Sequence, residues 1–83
     1  MKSLDLHKTR HEDVRNLTIR FVEDSWELLD VLEGEVEIIT GYSKKMKEIV
    51  IEVLDEYGLS CYIGDRLGLN KGFLRVRLGS ANT

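Results

Sequence analysis

The sequence predicts a two-layer α/β sandwich of order β-α-β-α-β-β, with a mixed four-stranded sheet and both helices on one face. Three observations predict it. Four short runs alternate apolar and polar residues, as strands with one buried side do. Two longer stretches between the first three runs repeat apolar residues every three or four positions, the spacing of an amphipathic helix. Finally, 83 residues with 42% apolar content suit one core, and hence one domain over residues 1–78.

Each element has its own grounds. In residues 3–7, Leu4 and Leu6 fall on one face and Ser3, Asp5 and His7 on the other. Thr9 and Glu12 then stand in the spacing of a capping box, in which hydroxyl and carboxylate each take one free amide of a helix start. Val14, Leu17, Phe21, Leu28 and Leu29, with Val22 and Leu32 flanking, continue the helical spacing, so one long helix is predicted near residues 10–33. Gly34 is its expected stop, since glycine tolerates the left-handed conformation that follows a last turn.

Residues 35–39 form the second strand, with Val36 and Ile38 inward and Glu37 and Ile39 outward. Ser43 is the predicted N-cap of a helix near residues 43–57, on which Met46, Ile49, Val50, Val53, Leu54 and Tyr57 make the cleanest apolar stripe in the chain. Gly58 closes it. Leu59, Cys61 and Ile63 alternate with Ser60 and Tyr62, and Leu74, Val76 and Leu78 with Phe73, Arg75 and Arg77. The glycine-rich segment 64–72 reads as the connection between these two strands, and residues 79–83 as a disordered tail. Right-handed crossovers put both helices on one side of the sheet. The other side then carries Asp5, His7, Glu37, Tyr62, Phe73 and Arg75, which is too polar to lie under a further layer.

Composition narrows the class of function. No run approaches the ~20 apolar residues of a membrane span, and the opening MKSLDLH lacks the apolar centre of a signal peptide. Cys61 is the only cysteine, so no internal disulfide can form. A cytoplasmic protein without a membrane partner is expected. The net charge of −3 argues against a uniformly basic nucleic-acid binder, but charge is segregated. Residues 12–33 hold seven acids and two bases, whereas residues 8–10 and 44–47 hold five bases and no acid.

In parallel β-α units, ligand sites form beyond the carboxyl ends of the strands. Those ends present His7, Lys8, Arg10 and His11 from the first connection, and Thr40, Gly41, Ser43, Lys44, Lys45 and Lys47 from the second. If the third strand is also parallel, Arg66 and Lys71 join them. Helix amino termini point to the same edge, offering free amides and partial positive charge to a phosphate. The edge is read as an anion site for a nucleic-acid backbone. Every feature also has a purely structural reading: the lysines as a solvated helix side, Thr40-Gly41-Tyr42-Ser43 as an ordinary turn, Arg75 and Arg77 as cross-strand partners of Glu35 or Glu37. Their convergence on one edge favours the anion site.

Leu4-Asp5-Leu6-His7, followed by an acidic helix, resembles the LDxH motif that opens an Smr domain. Val36-Glu37-Ile38-Ile39-Thr40-Gly41-Tyr42-Ser43 resembles the family's second motif, an apolar strand running into an HGxG-type loop, and the glycines before Phe73 resemble its last hairpin. The resemblance implies a single Smr-like domain, a fold like the C-terminal domain of translation initiation factor three, and sheet order 1-2-4-3. It further implies an endonuclease acting on RNA or structured DNA. In that reading His7 is the proton carrier, with Asp5 orienting it or binding a divalent metal. No cofactor or metal cluster is identifiable. Lys44 and Lys45 would stabilise the phosphate in flight, and Lys8, Arg10 and Lys71 would position the backbone. Two departures stand out: Lys8 replaces the glycine that usually follows the first histidine, and Thr40 and Ser43 replace the histidine and last glycine of the second motif. His11 is a candidate replacement proton carrier. Two other readings stay open. One is a non-catalytic nucleic-acid-binding module. The other is a protein-interaction domain, or homo-oligomer, using Tyr62 and Phe73 on the open sheet face.

Overall fold

The structure is a computed structural model that describes residues 2–64 and 71–78. Its elements are β1 (Ser3–Asp5), α1 (His11–Asp24), a π-helical turn (Glu27–Val31), β2 (Glu35–Ile39), α2 (Lys44–Glu56), β3 (Leu59–Ile63) and β4 (Phe73–Leu78). The centre of the expected hairpin connection, Arg66 included, and the expected tail lie outside the described residues.

The sheet order is β1-β2-β4-β3. β1 runs parallel to β2, while β4 is antiparallel to both β2 and β3. β3 therefore points the same way as β1 and β2, which was the condition for bringing the β3–β4 connection to the candidate edge. One apolar cluster joins Leu6, Val36, Ile38, Leu59, Leu74 and Val76 of the sheet to Val14, Val22 and Leu29 of the first helical arm and Met46, Val50 and Leu54 of α2. Both helices thus cover one face. The other face keeps Asp5 and Tyr62 exposed and Glu37, Phe73 and Arg75 half-buried, with Arg75 Nη1 3.5 Å from Glu35 and Nη2 3.9 Å from Glu37.

α2 forms where its apolar stripe places it. The Ser43 hydroxyl caps it by accepting the Met46 amide at 3.1 Å, and Gly58 ends it at φ +71°. The two helical arms meet through Arg15, which reaches Glu56 at 2.7 Å, and through Trp26 and Tyr57, whose ring centroids lie 6.1 Å apart.

The first helical arm departs from expectation at both ends and in the middle. Its N-cap is Arg10, with no side-chain cap bond. Thr9 is held one residue too early, its amide bonded to the Leu6 carbonyl at 2.9 Å. Glu12 is then one position short of the capping-box partner, so the box does not form. The arm is not one α-helix over 10–33 either. The Ser25 amide is shared between the Phe21 and Val22 carbonyls (3.0 and 3.2 Å), and Leu32 bonds five residues back, to Glu27, at 3.1 Å. A π-type turn winds more residues per turn. It carries Leu29 into the core and rotates Leu32, an expected core flank, outward to 64% exposure.

The stop also works differently. Glu33 takes the left-handed conformation (φ +53°), and the Gly34 amide bonds the Leu28 carbonyl six residues back at 2.8 Å, one residue further than a Schellman closure reaches. A β-carbon at Gly34 would sit 2.6 Å from Leu28 Cδ1, so that side chain would have to shift to admit one. Ile63, expected inward, is 47% exposed at the end of the edge strand β3.

Candidate functional site

The site starts where β1 ends. Leu6 keeps β1 in the sheet, its amide donating to the Ile39 carbonyl at 2.7 Å. The chain then turns, and Asp5 Oδ1 accepts twice from His7, from the backbone amide at 3.1 Å and from ring Nδ1 at 2.5 Å. An ionised carboxylate only accepts, so Nδ1 carries the hydrogen and the lone pair of neutral imidazole is on Nε2. The His7 ring and amide bonds together hold the Asp5 carboxyl below its ordinary value of 3.8, the ring bond contributing most. Both side chains are about half exposed. The geometry is that of an oriented base open to a substrate.

Beside it stands the turn after β2. Gly41 has φ +66°, and a β-carbon there would touch His7 Cβ at 3.4 Å. The amides of Thr40 and Gly41 both donate to the Gly72 carbonyl at 2.9 Å, which brings the start of β4 to the same edge. The Gly41 carbonyl accepts from the Thr40 hydroxyl at 2.9 Å and from Lys47 Nζ at 2.6 Å. Thr40 is only 1% exposed, so its hydroxyl braces the turn and has no surface to present to a phosphate. Lys47 braces it too, and burial pushes its ammonium below the ordinary lysine range.

The remaining predicted residues gather around this frame. Lys8, Arg10, Lys44, Lys45 and Lys71 are exposed, and none forms a salt bridge with another described residue. Lys8 and Arg10 lie between β1 and α1, Lys44 and Lys45 open α2, and Lys71 precedes β4. The helix starts differ in charge. α1 carries Glu12 and Asp13 in its first turn, which offset its positive end, whereas α2 has no acid there. The α2 start is therefore the anion-attracting one. His11 Nε2 makes a long contact of 3.4 Å with the Ser43 hydroxyl and so ties the two loops together.

Between these loops and the open sheet face lies a cleft of about 430 Å³, bordered by Asp5, His7, Glu37, Ile39, Gly41, Gly72 and Phe73. The sequence reading placed Phe73 on the open face but not beside His7. Strand register does so: Asp5 pairs with Ile39, and Ile39 with Phe73, one row across three strands. A second hollow of about 480 Å³ lies at the opposite end of β2, where Asp30, Glu33 and Glu35 outnumber Arg77.

Among the described residues, no group of three or more His, Cys, Asp or Glu side chains is placed to hold a metal ion, and no helix is long and apolar enough to cross a membrane. No family model, curated protein or solved structure matches the chain.

Proposed function

We propose that this chain is an Smr-like domain that binds nucleic acid by its phosphates at the loop edge and cleaves a phosphodiester there. The observation that carries the proposal is the Asp5-oriented imidazole of His7 packed beside the Gly41 turn, on the edge where five exposed cations gather.

The chemistry follows from the groups present. His7 Nε2 takes the proton of the attacking hydroxyl, a ribose 2′-OH in RNA or a water for DNA, as that oxygen bonds to phosphorus. Asp5 stabilises the imidazolium that results. The leaving oxygen departs with the electrons of the broken P–O bond and needs a proton. Thr40, at the position of the second-motif histidine, is buried and supplies none, so His11 is assigned that task from the Ser43 side of the edge. Lys44 and Lys45 offset the charge that builds on the phosphoryl oxygens, while Lys8, Arg10 and Lys71 hold the flanking backbone. Cys61, a half-buried thiol pushed up by burial, takes no part, and its free state suits a cytoplasmic setting. The buried Thr40 favours a second reading, binding without cleavage.

Phosphate binding is tested by salt dependence. Each phosphate contact contributes about 0.7–0.9 units to the slope of log K against log salt. Lys44→Ala/Lys45→Ala should flatten the slope for labelled RNA by roughly 1.5 units and weaken binding at low salt. Unchanged affinity and slope would remove the edge as the binding site.

A further inference from the structure

We propose that the cleft is a reader of single strands, with Phe73 and Tyr42 as stacking platforms for the bases on either side of the phosphate at His7. The inference rests on the nucleic-acid reading above and names its substrate class.

Two aromatic residues adjoin the site, Phe73 at the cleft and Tyr42 next to Gly41 in the turn, and each ring has a cation near it. Phe73 borders the cleft together with His7 and Gly41, and the Arg75 guanidinium carbon lies 5.7 Å from its ring centroid. Tyr42 follows Gly41 in the turn and is 76% exposed, with Lys47 Nζ 6.0 Å from its centroid. Neither ring belongs to the apolar core, which closes on the other side of the sheet. A cation near the face of an aromatic ring is held there by the ring's quadrupole.

The spacing suits one nucleotide. Phe73 is two strands away from Asp5 in the same row, about 10 Å at the usual strand separation. A phosphate beside His7 and the Lys44–Lys45 pair then leaves its own base over the cleft floor at Ile39, against Phe73. The adjacent nucleotide leaves toward Tyr42. Only an unpaired strand can do this, because a duplex hides its base faces in its own stack and offers edges and backbone alone. The occupant is also fixed by charge. Lys8, Lys44, Lys45 and Lys71 stand exposed in the loops and the helix start at this edge of the sheet, whereas Glu37 on the cleft floor lies 3.9 Å from Arg75. The surface thus pairs aromatic faces with exposed cations in the neighbouring loops, the combination that single-strand binders use.

The test compares three fluorescent probes by anisotropy in the His7→Ala background, which keeps them intact. They are a short single strand, made as RNA and as DNA, the same backbone with abasic sites throughout, and a blunt duplex of matching sequence. The single strand should bind tightest. Phe73→Ala and Tyr42→Ala should each weaken it by about ten-fold while leaving the abasic probe unchanged, and Phe73→Tyr should keep wild-type affinity. Tyr42 sits in an exposed turn, so its variant reports on stacking even if Phe73→Ala unfolds. Equal losses on intact and abasic probes, no loss from either variant, or a duplex bound as tightly as the single strand would overturn the inference. If Lys44→Ala/Lys45→Ala weakens every probe while the aromatic variants change nothing, stacking falls and phosphate binding stands. If no probe binds, both fall.

Discussion

Gly41 and Gly58 provide a matched pair of perturbations that separate backbone strain from damage to the site. Both are left-handed, at φ +66° and +71°. An alanine at Gly58 would meet nothing within 4 Å, while an alanine at Gly41 would press on His7 Cβ at 3.4 Å. Holding an L-residue in the left-handed region costs roughly 1–2 kcal/mol, and the reduced freedom of the unfolded chain offsets about 0.4–1 kcal/mol of that. Each variant should therefore lose about 1 kcal/mol, seen as a Tm lower by about 4–8 °C for a domain of this size. The contact at Gly41 is at the near edge of ordinary packing, so it adds little to the stability loss. It does add a methyl group against the His7 side chain. Thermal unfolding followed by circular dichroism should give similar Tm values for Gly41→Ala and Gly58→Ala. Imidazole resonances of His7 should move only in Gly41→Ala, and nucleic-acid cleavage should fall only there. If Gly58→Ala is as stable as wild type, or if the two variants perturb His7 equally, the reasoning about this turn is refuted.

Three further outcomes are expected. Leu54→Ala removes a fully buried side chain of the α2 stripe and should cost about 2–5 kcal/mol in chemical denaturation; a loss under about 1 kcal/mol would mean that the stripe does not close the core. The Asp5 carboxyl, held below 3.8 by its bonds from His7, contributes stability in its ionised form above pH 3.8, and that contribution is lost as the pH falls through the lower folded-state midpoint. A carbon NMR titration placing the Asp5 midpoint above 3.8 would contradict the pair. His11→Ala should slow cleavage by roughly 10²–10⁴ with little change in binding, and wild-type rates in that variant would free His11 from the role of acid.

Period-2 and period-3.6 patterns made most of the fold readable, because each buried face is written into one element at a time. Val36 and Ile38, or Val50 and Leu54, are inward whatever their neighbours do. The π turn escaped because Leu29 and Leu32 fit a regular helix equally well. Only packing decides which of them enters the core. The cap was misplaced for a similar reason: Thr9 suits a helix start, but its amide is bonded into the turn after Leu6. At the site, Asp5 and His7 share a strand face by alternation alone, so their meeting was legible. The bracing of the Gly41 carbonyl by Thr40 and Lys47, and the row Asp5–Ile39–Phe73, depend on strand order and turn geometry. Those are properties of the assembled sheet.

The central claim is that His7, oriented by Asp5, moves a proton in phosphodiester cleavage, and one assay addresses it directly. Metal-stripped wild type and His7→Ala are incubated with labelled RNA and supercoiled plasmid, with and without added magnesium, and cleavage and binding are read side by side. Wild type should cut, and His7→Ala should lose roughly 10²–10⁴ in rate while binding within a few-fold of wild type, since the exposed lysines supply most of the attraction. Equal cutting by the two proteins, or no cutting by wild type on either substrate, would contradict it.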